Sequence, residues 1–190
     1  VGSSVSLMRR ALLAIVVVFA ALPVAACSSS SASMPTVTIC DPGHGAPQAA
    51  GDLPEVSKIA TAIADLEAKL GGPQEYFEVN ATARLVNLFV ALNNATVAQS
   101  WTWVDGALTA QEGKGAQGGT FKAGDLHIDA AHIFDDTRRQ VPQAIIETFY
   151  VNGDGKGAVE YGLLSSARCG GGLDVTVGPD GKVKTVMPVG

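Results

Sequence analysis

Five apolar residues, Val56, Ile59, Ile63, Leu66 and Leu70, fall 3, 4, 3 and 4 positions apart, the stripe of an amphipathic helix. Asp52 reads as its N-cap, Pro54 suits the first turn, Glu55 completes a capping box, and Gly71-Gly72-Pro73 ends it. After that stop the sequence becomes rich in β-branched and aromatic residues. It predicts strands at Glu75 to Ala81, Arg84 to Leu92 and Val97 to Val104, a turn at Asp105-Gly106, and a strand at Ala107 to Ala110. Gln111 to Gly124 has many Gly, Lys and Gln but few apolar residues and reads as a loop, with Lys114 and Lys122 solvated. The plan then recurs. A helix is expected at about 129 to 141, strands at Ala144 to Val151 and Ala158 to Ser165, and a last hairpin from Leu173 to Met187 turning at Pro179-Asp180-Gly181. A short strand, Thr36 to Cys40, precedes the whole set.

Two markers measure the recurrence: the helix starts at Asp52 and Asp129 differ by 77 residues, and the turns at Asp105-Gly106 and Asp180-Gly181 by 75. That agreement points to duplication. The expected fold class is therefore α+β, two helix-plus-antiparallel-hairpin repeats forming a sheet packed by two helices. Its parts are a first half at 36–110, a loop at 111–126 and a second half at 127–190. The pattern over about 52–187, and above all the strand-turn-strand Leu173 to Val183, resembles the small α+β modules of the PepSY and cystatin-like type. The resemblance implies an exported module that binds or modulates other proteins without chemistry of its own.

The N-terminal 27 residues behave differently. Met8-Arg9-Arg10 and the apolar run Ala11 to Ala26 have the charged start, short greasy middle and small-residue end of a secretory signal. Sixteen residues are too few to span a bilayer comfortably. The run closes on Val24-Ala25-Ala26-Cys27, which resembles the lipobox of bacterial lipoproteins and implies acylation of Cys27 followed by cleavage before it. The whole chain also looks like the small lipoproteins of mycobacteria. Met8 is read as the true start, so Val1 to Leu7 receive no structural role. Ser28 to Pro35 is small and polar and is expected to act as a flexible tether. The expected location is the extracytoplasmic face of a cell membrane.

Maturation at Cys27 would leave 164 of the 190 residues, enough for one well-buried core. Removing Arg9 and Arg10 shifts the formal charge from −5 to −7, which argues against a nucleic-acid partner. Export into an oxidising compartment predicts a disulfide between the remaining cysteines, Cys40 and Cys169. The rival reading, a reactive thiol, has no neighbouring base in the sequence to support it.

The sharpest candidate chemistry is Thr36 to Gly45, whose Asp41-Pro42-Gly43-His44-Gly45 resembles the opening motif of zinc-dependent N-acetylmuramoyl-L-alanine amidases. The resemblance implies His44, Glu55 and either His127 or His132 as zinc ligands, with the metal polarising an amide and activating water. Several features oppose it. Glu55 has a local role at a helix start, the later His motif of that family is missing, and His127 and His132 are five apart, on different faces of a helix or a strand. In the plainer reading the motif is a turn, and the histidines are surface residues.

Trp101 and Trp103 lie two apart, on one face of a strand. They are either sheet-covering aromatics or the wall of an apolar ligand site. The expectation is a membrane-anchored accessory lipoprotein, not an enzyme and without a cofactor, that binds a protein partner or an apolar ligand.

Overall fold

A computed structural model describes residues 48–142, 144–167 and 170–189, all within one compact unit. Short 3₁₀ turns at Ala50–Asp52 and Val56–Lys58 lead into helix α1, Ile59–Leu70. Strands β1 (Glu75–Ala81), β2 (Val86–Leu92), β3 (Val97–Val104) and β4 (Ala107–Ala110) follow, then the two-residue strands β5 (Lys114–Gly115) and β6 (Phe121–Lys122). Helix α2, Ala130–Gln140, precedes β7 (Ala144–Gly153), β8 (Val159–Ala167), β9 (Gly172–Val177) and β10 (Val183–Val189).

All ten strands belong to one sheet, in the order β10-β9-β8-β7-β1-β2-β3-β4, with β5 on β3 and β6 on β1. Every pairing is antiparallel. The expected α+β class of two helix-plus-hairpin repeats is therefore overturned. The described residues form mostly one large β-sheet, with two α-helices among them of only 12 and 11 residues. The physical reason lies at the centre, where β1 pairs with β7 through Val79↔Val151 and Asn80↔Tyr150, so the strands close into one continuous ladder. The expected loop at 111–126 also contributes strands, β5 and β6.

The helix start at Asp52 is corrected too. Leu53, held in an extended conformation (φ −81°, ψ 150°) before Pro54, interrupts the helical path, and α1 begins only at Ile59. Its end falls as expected at Gly71, whose φ of 84° suits a residue without Cβ, with its N–H donating to Glu67 O. At α2, Asp129 is the N-cap and accepts from the backbone N–H of His132. Asp105 and Gly106 both have positive φ, 46° and 90°, as a two-residue hairpin turn with the strands' own twist requires.

Adjacent residues of a strand face opposite sides of the sheet, and the register makes two rows visible. One row, Trp101, Leu88, Val79, Val151, Tyr161 and Val177, is buried throughout. Its neighbour, Thr102, Asn87, Asn80, Tyr150, Gly162 and Thr176, lies on the other side. Both helices pack on the buried face, α1 through Ile59, Ala62, Ile63 and Leu66 and α2 through Ile133 and Phe134. A Leu or Ile fully buried there contributes roughly 1.5–3 kcal/mol.

Candidate functional site

Helix α1 buries one face against the sheet and leaves the small side chains of Ala60 and Ala64 outward. The segment 123–128 runs alongside, held by β6 on β1 and by His127 N, which donates to Tyr161 Oη at 2.9 Å. Between helix and segment lies a half-open groove of about 550 Å³. Its walls are apolar: Val56, Ile59, Ala60 and Ile63 on one side, Leu126 and Ile128 on the other. This volume falls in the range of small-ligand sites, and the apolar lining suits such a ligand.

Polar groups mark the groove's margin: Ser57, and Glu67, whose Oε1 accepts from Gln74 N at 3.1 Å and Tyr76 Oη at 3.3 Å. Burial, and then the Glu67 charge, push the Tyr76 hydroxyl well above the usual phenol range, so it stays a neutral donor. The groove therefore offers a fixed apolar channel with a bonded carboxylate along it, an arrangement for binding.

Trp101 and Trp103 do not line this groove. Both are buried, at 7% and 5% exposure, within the core beneath α1. Trp103 Nε1 donates to Asp65 Oδ2 at 2.7 Å, and Trp101 Nε1 to Gln99 Oε1 at 3.3 Å. The ammonium groups of Lys58 and Lys69 sit 5.8 and 5.7 Å from the centres of the Trp103 and Trp101 rings.

The zinc candidates occupy separate settings. Glu55 pairs with Lys58 at 2.9 Å, and Lys58 reaches Asp105 at 3.1 Å; these two partners hold its ammonium above the usual lysine range, the Glu55 hydrogen bond foremost. His127 is exposed ahead of α2 and His132 is exposed in its first turn, with His132 Nδ1 2.7 Å from Asp129 Oδ2. Among the described residues no three His, Cys, Asp or Glu side chains gather as a metal site. Cys27, Cys40, His44 and Cys169 lie outside the described residues. Leu126 and Ile128 were not anticipated as site residues; their one signal is a pair of apolar residues two apart in polar surroundings.

No family model matches the chain, and the comparison with curated proteins gives no match. Among solved structures, the chain is similar to a protein of Clostridium difficile 630 provisionally described as a lipoprotein. The two are 11% identical with a TM-score of 0.48, over 73% of this chain and 94% of that one.

Proposed function

We propose that this chain is an exported, lipid-anchored accessory protein, held on the extracytoplasmic face of a cell membrane through Cys27, whose folded part binds and does not catalyse. The anchor rests on the sequence: a charged n-region, sixteen apolar residues, and Val24-Ala25-Ala26 before Cys27. The binding role rests on the groove beside α1, which takes an apolar group, either the apolar side of a protein partner or an apolar small molecule. The non-catalytic reading is supported by the prior engagement of Glu55 with Lys58 and of His132 with Asp129.

Each part has its own test. Replacing Cys27 with alanine is expected to move the protein from the membrane to the soluble fraction with its fold intact; a variant still on the membrane refutes the anchor. For the groove, Ala60→Trp fills the channel from the outer side of α1. Binding of a fluorescent fatty-acid analogue to the soluble variant is expected to be lost on adding Ala60→Trp, and equal binding in both refutes the site.

A further inference from the structure

Neither helix packs on the sheet face opposite the core. Its central row carries polar side chains that bond to one another across strands: Thr102 Oγ1 donates to Asn87 Oδ1 at 3.0 Å, and Asn87 Nδ2 to Asn80 Oδ1 at 2.9 Å. Asn80 Nδ2 then donates to Glu78 Oε1 at 2.6 Å. On the other side of the row the Tyr150 ring lies over Gly162, where a Cβ would collide with it, and Tyr150 Oη donates to Asp174 Oδ1 at 2.7 Å. These bonds fix the side chains before anything binds, which lowers the ordering cost of an interface.

The row borders a recess of about 420 Å³, walled by Glu78, Asn80, Thr148, Tyr150, Asn152 and Asp174. Two carboxylates line it, and none of the described residues lining it is a cation. Glu78 Oε2 and Asp174 Oδ2 accept no hydrogen bond from the described residues, so each carboxylate has an oxygen to spare. A third carboxylate, Glu160, acts with these two on Tyr150, whose hydroxyl is held above the ordinary phenol range by burial first and then by Asp174. Lys114, on the same side of the sheet, lines a different recess beside Phe89 and Ser100.

We propose that this recess seats a basic side chain, an arginine or lysine presented by a protein partner lying across the sheet face opposite α1 and α2. Charge complementarity carries the inference: a recess with two carboxylates and no cation among its described lining residues, in a chain of net charge −5, attracts a cation and repels an anion. The spare oxygen of either Glu78 or Asp174 can accept from a guanidinium or an ammonium, and the face of Tyr150 suits a guanidinium plane. This surface is separate from the groove, so the two readings stand or fall apart.

The probes are N-acetyl-arginine methylamide, its lysine counterpart, and the neutral norleucine analogue, titrated into the full chain carrying Cys27→Ala and followed by amide shifts. The arginine probe is expected to give saturable shifts at Asn80, Asn87 and Thr148 that weaken with salt, and the norleucine probe none. Glu78→Gln with Asp174→Asn should weaken the arginine probe roughly tenfold or more. A second variant, Thr148→Arg, fills the recess with the chain's own guanidinium and should abolish the shifts in a folded protein. Equal shifts from norleucine, shifts spread over outlying acids such as Asp52 and Asp180, unchanged binding in either variant, or no shifts at all would overturn the proposal.

Discussion

The side-chain amide of Gln48 brackets the Ile146 peptide: Nε2 donates to Ile146 O at 2.7 Å, and Oε1 accepts from Ile146 N at 2.9 Å. Strand β1 ends at Ala81, opposite Phe149, so beyond that point no strand among the described residues pairs with β7 on this side. The glutamine completes the ladder where the strand stops. Ile146 is fully buried, so Gln48→Ala leaves a buried N–H and C=O without partners. The expected loss is about 2 kcal/mol in urea unfolding, and an unchanged midpoint would show that water replaces the bracket at no cost.

The same contact bears on the expected Cys40 to Cys169 disulfide, whose cysteines lie outside the described residues. Gln48 follows Cys40 by eight residues, and Ser165, the register partner of Ile146, precedes Cys169 by four. Eight extended residues reach at most about 29 Å, so these fixed flanks leave the two sulfurs within range. Mass spectrometry on the non-reduced secreted chain is expected to find the Cys40 to Cys169 peptide pair, and reduction to lower stability by about 2–5 kcal/mol. Two alkylatable thiols in the native protein would contradict the pairing.

Trp103 makes the link between β3 and α1. Its N–H is satisfied by Asp65 and its ring is covered by Lys58, so the side chain works as a fastener for the helix that forms one wall of the groove. Asp65→Leu strands the indole N–H in a residue only 5% exposed and should cost about 1–3 kcal/mol. Asp65→Asn keeps an acceptor and should cost well under half of that. Tryptophan fluorescence during chemical unfolding reads both, and equal stability of the two variants would remove the bond from the account.

Strand positions were legible because the apolar alternation and the turn residues are local signals, as Asp105-Gly106 between β3 and β4 illustrates. Pairing was not. Val79 and Val151 each look like any inward residue of a strand, and nothing local says that they are neighbours across the seam joining β1 to β7. Without that pair, one sheet reads as two modules. Alternation alone places Asn80, Asn87 and Tyr150 opposite the core, yet only the register brings them into one row. The α1 start is hidden in the sequence because Asp52 and Glu55 fit a capping pattern, while the constraint of Pro54 on Leu53 outweighs it. The groove escaped for a similar reason: Leu126 and Ile128 form a wall only once β6 and Tyr161 hold their segment beside α1.

Alkaline pH should unfold this protein through its tyrosines. Burial is the main cause that raises Tyr76, Tyr150 and Tyr161 above their ordinary value; nearby carboxylates add to it, and the His127 N–H works the other way at Tyr161. A group whose affinity for its proton is raised by folding contributes stability that is complete below its unfolded pKa, about 10 for a phenol. Above that, the unfolded chain releases protons that the folded chain keeps, and stability falls as pH rises toward the folded values. Lys58, also raised, acts in the same direction. Urea unfolding between about pH 9 and 12 should therefore show a declining limb, and Tyr150→Phe should flatten it by about one proton while leaving the limb below pH 9 parallel to the parent. A Tyr150→Phe limb as steep as the parent's would mean that this hydroxyl ionises as freely in the folded chain as in the unfolded one, and its bond to Asp174 would then not hold the proton in place.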